Sequence, residues 1–391
     1  MKRVPFSDIL WLFLGTRLLL VAGTYLSFIL FPVPPHVYPS TPVDLMGLLS
    51  SWEHWDAERF LRIVRLGYQD QFDSPFFPLF PLLVKGAALL LGNQLHLAVG
   101  MFISNAALFG ALLVLYTLAS DIWGEQVGRR TLLYLCIFPT AFFFFAAYNE
   151  SLFLLLTSGC FLALRRRKWW LAGLLGMLAG VTRTAGVMLI LPFLYEVWIS
   201  REPSDDAQPR PGFFRQLLAL LPKAWPVVLM PLGLLCYCIY CQVRFGNPIA
   251  FATVQINWGR ITSFPWSGIF SAFFQLFFVQ PFGSFEEAHI LLDMAATFGA
   301  IALTVVCWRK LRLSYALWAT LLVLFMLISP ALGQPDALQS NQRFILEMFP
   351  LFIALAILGL RYRHLHYFCL LAFPFLQAIL AALFVLNRWM V

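Results

Sequence analysis

Residues 52–81 read WEHWDAERFLRIVRLGYQDQFDSPFFPLFP, a polar, acidic and aromatic stretch between two long apolar segments. Ionisable side chains beside a bilayer are costly, so they are usually kept for a function or left at the aqueous surface. Here the acids occur together with aromatic residues, and the stretch ends in a proline-punctuated apolar run. We therefore expect a reaction site at a membrane surface rather than an ordinary solvated loop.

The composition of the whole chain places it among membrane proteins. Of its 391 residues, 61% are hydrophobic and 12% are charged, whereas a soluble domain has about 45–50% apolar and about 25% charged residues. Apolar runs long enough to cross hydrocarbon recur from end to end, which predicts an all-α polytopic membrane protein with one transmembrane domain over residues 1–391. The net charge of +8 does not indicate nucleic-acid binding, because the basic residues cluster in short connections. Membrane lipids are the expected surroundings.

The hydrophobic pattern predicts about eleven membrane spans. They are 8–31, 97–119, 131–147, 150–164, 169–182, 186–199, 224–243, 289–308, 313–330, 344–360 and 366–386. The clusters expected to face the cytoplasm are Lys2-Arg3, Arg129-Arg130, Arg165-Arg166-Arg167-Lys168, the 200–223 segment, Arg309-Lys310-Arg312 and Arg361-Arg363. The 202–212 stretch, EPSDDAQPRPG, is the only plausible flexible linker and lies in one of these connections.

The parity of the crossings predicts which polar segments lie outside. If Lys2-Arg3 and Arg129-Arg130 both face the cytoplasm, an even number of spans separates them, so the short 76–92 run does not cross. The 32–96 segment is then a first external loop with juxtamembrane helices, and 244–288 is a second large external loop. The alternative is that 76–92 crosses and Arg129-Arg130 faces out.

Asp56, in the sequence His54-Trp55-Asp56, is the candidate catalytic residue. On a helix, Glu53, Asp56 and Arg59 would be three residues apart and could share one face. A carboxylate there could act as a general base that takes a proton from an incoming hydroxyl. The other interpretation is a helix N-terminal acid or a surface ion pair with Arg59 or Arg62.

Lys85, Arg183 and Arg343 are cations next to apolar spans on the expected outer face. Guanidinium groups bind phosphate in bidentate fashion, and lysine can act as a compact phosphate-binding charge. Arg183 is the sharpest candidate, because it lies at a break between two short spans. The alternative for all three is snorkelling to the interface or pairing with a nearby acid.

The remaining polar residues give weaker signals. Glu150 follows Tyr148 at the start of a span, where capping by an acid would explain it equally well. Tyr68 could bind a sugar or belong to a turn. The histidines and cysteines lack the spacing of a metal site, and phosphate loops of the GxxxxGK[ST] kind are absent, which argues against a nucleotide-dependent mechanism.

Four of these motifs, in their order along the chain, resemble one family. WD-A-x-x-F-x-x-I-x-x-x-GY at 55–68, followed by FFPLFPL at 76–82, resembles the PIG-V-type mannosyltransferases of the GT-C membrane glycosyltransferase superfamily. The stretch YNESLF at 148–153 resembles the family's Y-x-E-S-L-F turn, and TRTAG at 182–186 resembles its R-x-x-G break. Gln342-Arg343-Phe344 resembles its late Q-R-Y/F element.

The resemblance implies a fold and a reaction. It implies a GT-C fold, a polyprenyl-phosphate sugar donor with mannose as the expected sugar, and inverting transfer on the non-cytoplasmic face. It assigns Asp56 as the base, places Arg183 and Arg343 at the donor phosphate, and requires no cofactor and no metal. The substrate-binding candidates are Glu53, His54, Trp55, Arg59, Tyr68, Lys85, Tyr148, Glu150, Arg183, Gln342 and Arg343.

The expected acceptor and membrane are inferred from the differences between this chain and eukaryotic members of the family. The chain is short and lacks obvious extra luminal insertions, which favours a lipid-linked or cell-envelope glycan over a GPI precursor. We expect a bacterial cytoplasmic membrane with the site facing outside, or the ER membrane in a eukaryote. Two other classes stay open, a lipid or sugar transporter or flippase with broken helices at its substrate site, and a non-catalytic assembly subunit.

Overall fold

Every regular element in the described residues 5–30, 45–92, 94–200 and 220–388 of the computed structural model is helical. The α-helices are α1 Phe6–Leu30, α2 Leu45–Ser50, α3 Asp56–Leu66, α4 Leu79–Leu90, α5 His96–Trp123, α6 Glu125–Ile137, α7 Glu150–Arg165, α8 Trp169–Gly180, α9 Ile190–Ile199, α10 Leu229–Phe245, α11 Ala250–Thr253, α12 Ser267–Phe274, α13 Phe285–Lys310, α14 Leu313–Leu327, α15 Asn341–Phe344, α16 Phe349–Arg361 and α17 Arg363–Val385. Short 3₁₀ segments include Gln71–Asp73, Ala141–Phe144, Thr184–Leu189, Val254–Trp258 and Ile345–Glu347. This architecture confirms the predicted all-α membrane class. Lys2-Arg3, the 32–44 part of the first loop and the 202–212 linker lie outside the described residues.

By helix length and composition, fewer helices qualify as membrane spans than the hydrophobic pattern predicts. Within the described ranges, five helices are long and apolar enough, or six if one bent pair is counted as a span. The five are Phe6–Leu30, His96–Trp123, Leu220–Phe245 (the continuous helical stretch that ends in α10), Phe285–Lys310 and Arg363–Val385. The bent pair is Asn341–Glu347 with Phe349–Arg361, at 87°. The count of eleven is not confirmed, because several of the expected spans are short or broken helices. The 131–147 run, for example, divides into the end of α6 and a separate 3₁₀ turn.

Helices from the middle and the later part of the chain form the core, and α14 also packs against α16. α5 packs against both α6 and α7, α7 against α8, α8 against α10, and α16 against α6. Their contact surfaces bury large side chains such as Tyr134, Phe153, Trp318 and Phe352. The short helices thus gain their stability from tertiary packing rather than from their own length.

α3 lies against this core because its sequence is amphipathic. Apolar residues recur at the i, i+3, i+4 spacing that makes one face of a helix apolar. The buried residues are Ala57, Phe60, Leu61, Ile63 and Val64, while Glu58, Arg59 and Arg65 are exposed. The face that packs on α4 and α5 therefore fixes the direction in which Asp56, at the helix start, points.

Two loops that are far apart in sequence are joined by main-chain hydrogen bonds. The amides of Ile261 and Ser263 donate to the carbonyls of Pro330 and Ile328 (3.2 and 3.0 Å), and the Gly333 amide donates to the Gly259 carbonyl (3.2 Å). A Cβ on Gly259 would lie 3.1 Å from the backbone of Gly333, and Gly259 has a φ of +70°. Glycine is needed there because it permits both the close approach and the left-handed backbone.

Candidate active site

Four segments meet around one cavity, and hydrogen bonds between side chains and the main chain help to hold them in place. They are the start of α3, the start of α7, the break between α8 and the Thr184–Leu189 turn, and α15. Asn149 Nδ2 donates to the Thr182 carbonyl at 3.0 Å, and Thr140 donates to the Gln342 carbonyl at 2.9 Å. The Gln342 amide in turn donates to Asp293 Oδ1 at 2.9 Å. Asn149 thus joins the YNE and TRT motifs directly, while Thr140 and Asp293 hold the main chain of Gln342.

Asp56 is presented by a strained turn. Trp55, the residue before it, has a φ of +58°, which is costly for a residue with a bulky side chain. The buried Tyr148 hydroxyl spans this turn, because it donates to the His54 carbonyl and accepts from the Asp56 amide, both at 3.2 Å. Tyr148 therefore ties the YNE turn to the WD motif. Burial also lowers the pKa of the His54 imidazole from its usual value.

A buried ion pair joins Asp56 to the start of α7. Arg343 Nη1 contacts Asp56 Oδ2 at 2.6 Å, and its Nη2 and Nε contact Glu150 Oε1 at 2.5 and 2.6 Å. The guanidinium also lies 4.7 Å from the Tyr148 ring centre and 4.9 Å from that of Phe143. Both carboxylates begin helices, where the helix dipole favours a negative charge. The Glu150 side chain is fully buried, while 29% of the Asp56 side chain stays exposed.

The ion pairs continue through Arg183. Its Nη1 contacts Glu150 Oε1 at 3.1 Å and also pairs with Glu347. Asp56, Arg343, Glu150, Arg183 and Glu347 therefore form a continuous chain of alternating charge, called the ion-pair chain below. Gly186 allows the break that carries Arg183, because a Cβ there would come within 2.3 Å of the α8 backbone. This packing gives a physical reason for the glycine of the R-x-x-G motif.

The cavity beside the ion-pair chain has a volume of about 540 Å³, within the range of small-molecule sites. Asp56, Arg183 and Arg343 line it, together with Glu347 and a further arginine, Arg260. Apolar side chains from α14 and from the 251–258 region complete the wall. The arrangement offers an exposed carboxylate and several guanidiniums to one bound molecule. Within the described part of the chain, no group of three His, Cys, Asp or Glu side chains could hold a metal ion, and metal-independent reaction stays a prediction.

Several candidates from the sequence lie outside this cavity. α3 begins at Asp56, so the expectation that Glu53 shares a helical face with Asp56 and Arg59 is wrong. Glu53 precedes the helix and pairs with Arg65 at 2.7 Å. The alternative pairing of Asp56 with Arg59 or Arg62 is also not observed, since Asp56 pairs with Arg343 and Arg62 pairs with Asp70 and Asp73.

The other outlying candidates have structural contacts of their own. Lys85 and Arg59 are exposed and are not part of the cavity lining. The Tyr68 hydroxyl donates to the Phe76 carbonyl at 2.5 Å, and its ring packs against Tyr237 and Tyr240. Glu150 and Tyr148 do not line the cavity but lie behind the residues that do. Their roles in binding substrate stay predictions.

Sequence reasoning missed two charged residues of the cavity, Arg260 and Glu347. Arg260 lies in the aromatic loop and is the only ionisable residue between Arg244 and Glu286, which was a usable signal. Glu347 follows the Gln342-Arg343-Phe344 element at the start of an apolar run, where it reads as a helix cap. Only the contacts across the fold distinguish these two residues from ordinary loop charges.

Comparisons with known proteins agree with these motifs. A family model described as mannosyltransferase (PIG-V) matches residues 27–271. The human and mouse proteins named GPI alpha-1,6-mannosyltransferase 2 are 36% and 33% identical over 169 and 171 residues, which is 40% of this chain and 34% of each relative. The matched part of the chain thus spans about a third of these relatives. A solved Archaeoglobus fulgidus oligosaccharyltransferase is similar at 14% identity and a TM-score of 0.45, covering 97% of this chain and 55% of that one.

Proposed function

The chain belongs to the PIG-V mannosyltransferase family, and on that premise we propose that it transfers mannose from a polyprenyl-phosphate donor to a lipid-linked or cell-envelope glycan on the non-cytoplasmic face of a membrane. The observation that carries the proposal is a partly exposed carboxylate, Asp56, in the same cavity as Arg183 and Arg343. A sugar-phosphate donor needs cations at its phosphate, and an acceptor hydroxyl needs a base. This cavity offers both.

Asp56 is suited to the role of base by its position. Arg343 engages Oδ2 at 2.6 Å and thereby fixes the orientation of the carboxylate. The other oxygen, Oδ1, is the one that would accept the proton. A base must lie within hydrogen-bonding distance of the hydroxyl that it deprotonates. Asp56 lines the cavity, so an acceptor bound there could reach its carboxylate.

The proposed reaction is a single displacement. The acceptor oxygen attacks C1 of the sugar from the face opposite the phosphate, while its proton moves to Asp56. The bond between C1 and the phosphate oxygen breaks, and its electron pair stays on that oxygen, so the products are a glycoside of inverted configuration and a polyprenyl phosphate. Negative charge grows on the phosphate, and preorganised cations that stabilise such charge supply a large share of catalysis.

Sugar transfer in proteoliposomes tests the proposal. The liposomes contain the protein, radiolabelled polyprenyl-phosphate mannose and a lipid extract from the host. Asp56→Asn is compared with wild type and with Glu58→Gln, which removes an exposed acid from the first turn of the same helix. We expect wild type and Glu58→Gln to transfer label, and Asp56→Asn to lose at least about 100-fold in rate, since general bases contribute about 10²- to 10⁴-fold.

The possible results separate the alternatives. Equal transfer by wild type and Asp56→Asn would exclude Asp56 as the base. If wild type transfers no mannose, the same assay with other polyprenyl-linked sugars tests the sugar, and failure with all of them would favour a transporter. The labelled product identifies the acceptor.

A further inference from the structure

Arg260 is the arginine of the cavity that no sequence motif predicts. We propose that Arg260 binds the phosphate of the lipid donor and that the phosphate lies between Arg260 and Arg183, beside the ring of Phe344. This inference rests on the proposed function, since it assigns a residue to the donor of that reaction. Three observations carry it: the charge balance of the cavity, the free donor groups of Arg260, and the rigid loop that presents it.

The charge balance distinguishes the three arginines. Arg343 is neutralised by Asp56 and Glu150, and Arg183 by Glu150 and Glu347. Within the described ranges, Arg260 forms no ion pair within 4.0 Å. The carboxylates that act on it, Asp293 and Asp56, do so from farther away. Among the three arginines, Arg260 is therefore the one whose guanidinium has no direct carboxylate partner in the described residues, and an incoming anion can pair with it without displacing a carboxylate.

Arg260 also keeps hydrogen-bond donors for a ligand. Its Nη1 donates to the Ser329 carbonyl at 2.9 Å, and its Nη2 donates to the Gln339 carbonyl at 2.7 Å. A guanidinium has five N–H donors, so two contacts leave three. Planar guanidinium groups bind phosphate oxygens through paired donors, and such charge-assisted bonds are the strong ones.

The position of the guanidinium is fixed from two sides. The two carbonyls belong to the 329–339 loop, which is itself joined to the 259–263 segment by main-chain hydrogen bonds. The ring of Phe344 supports the guanidinium from the other side, with Arg260 and Arg183 lying 5.2 and 5.5 Å from the ring centre. Both arginines line the same cavity. A phosphate held there would contact a preorganised pair of cations without breaking the ion-pair chain.

The experiment measures binding of a short donor analogue rather than sugar transfer. Purified full-length protein in detergent is titrated with farnesyl phosphate and, separately, with uncharged farnesol. The variants are Arg260→Gln and Arg260→Lys, and the matched control is Arg244→Gln. Arg244 also binds two main-chain carbonyls, those of Tyr68 and Gln69, but lies outside the cavity.

We expect Arg260→Gln to bind farnesyl phosphate about 10- to 100-fold more weakly than wild type, the range given by charge-assisted hydrogen bonds. Arg260→Lys keeps the charge and should fall between the two. Farnesol affinity should stay within about twofold in every variant, because it has no phosphate, and Arg244→Gln should match wild type with both ligands.

Two results would overturn the inference. One is unchanged farnesyl phosphate affinity in Arg260→Gln, and the other is an equal loss for farnesyl phosphate and farnesol, which indicates a collapsed cavity. If Arg260→Gln does not fold, Arg260→Lys is compared with Arg244→Lys instead. The inference then fails if Arg260→Lys keeps the wild-type affinity for farnesyl phosphate, or if it loses affinity equally for farnesyl phosphate and farnesol. This experiment measures binding and not sugar transfer. It can therefore refute the phosphate site while the proposed mannose transfer is upheld, and it can support the phosphate site while mannose transfer is refuted.

Discussion

The substitution Glu150→Gln tests whether the ion-pair chain positions the reacting groups. Glu150 is fully buried and joins the two motif arginines through one oxygen, at 2.5 and 2.6 Å from Arg343 and at 3.1 Å from Arg183. Glutamine has the same shape but no charge. Its oxygen can take the position of Oε1, and its amide nitrogen then takes the position of Oε2, which is buried without a hydrogen-bond partner among the described residues. The substitution thus leaves two buried guanidiniums short of a counter-ion without creating a cavity.

The expected cost has two parts. Removing one partner of a buried ion pair costs about 3–5 kcal/mol of folding free energy, and the retained oxygen of glutamine places this case near 3. The second part is catalytic. Glu150 does not line the cavity, so its effect on the rate comes through Arg343 and the Asp56 that Arg343 holds. A shift of reacting groups by about 1 Å costs on the order of 100-fold in rate.

Thermal unfolding in detergent and kcat per folded molecule measure the two parts separately. The matched control is Glu196→Gln, since Glu196 is also a buried acid but accepts a hydrogen bond from Ser314 (2.5 Å) away from the cavity. We expect Glu196→Gln to cost about 1 kcal/mol and leave kcat unchanged. The positioning role is refuted if Glu150→Gln keeps the wild-type kcat, or if it destabilises no more than the control.

Two further substitutions test contacts outside the ion pairs. Arg17 is buried in α1, and its three guanidinium nitrogens have no hydrogen-bond partner among the described residues. We therefore expect Arg17→Met to stabilise the protein by about 1–4 kcal/mol, measured by thermal unfolding. A loss of stability would contradict this account. Tyr148→Phe removes both hydrogen bonds across the strained Trp55 turn, so we expect a loss of about 1–3 kcal/mol and a fall in kcat with little change in acceptor KM. An unchanged kcat would show that the hydroxyl does not position Asp56.

The sequence was sufficient to predict that this is a helical membrane protein, because that class depends on composition. It was not sufficient to predict the number of membrane spans. A hydropathy pattern cannot distinguish a crossing from a short helix that ends inside the protein. The 131–147 run shows the difficulty: it is apolar throughout, yet the chain turns after Ile137 and its aromatic residues at 142–144 are buried against other helices. Burial in protein and burial in lipid select the same residue types, so periodicity alone could not locate the turn.

For the site, sequence motifs identified the residues but not their partners. Asp56, Arg183 and Arg343 were found because each belongs to a short motif, and all three line one cavity. The two arginines pair through Glu150, which joins positions up to 193 residues apart, and no local spacing encodes such contacts. The place of Arg260 in the cavity depends on contacts between two loops that lie about 70 positions apart in the sequence. The same charge on an isolated loop would be an interfacial anchor.

The ion pair between Asp56 and Arg343 links the two ends of the proposed reaction. Before transfer, Arg343 is neutralised by Asp56 at 2.6 Å and by Glu150 at 2.5 Å. When Asp56 takes the acceptor proton it becomes neutral, and the attraction that held Arg343 to it is lost. In the same step the leaving phosphate gains one negative charge. Arg343 is then less neutralised than before, so its positive charge can stabilise the negative charge that forms on the phosphate in the same step. The net charge of the buried site stays constant, which avoids the large cost of creating an uncompensated charge away from water.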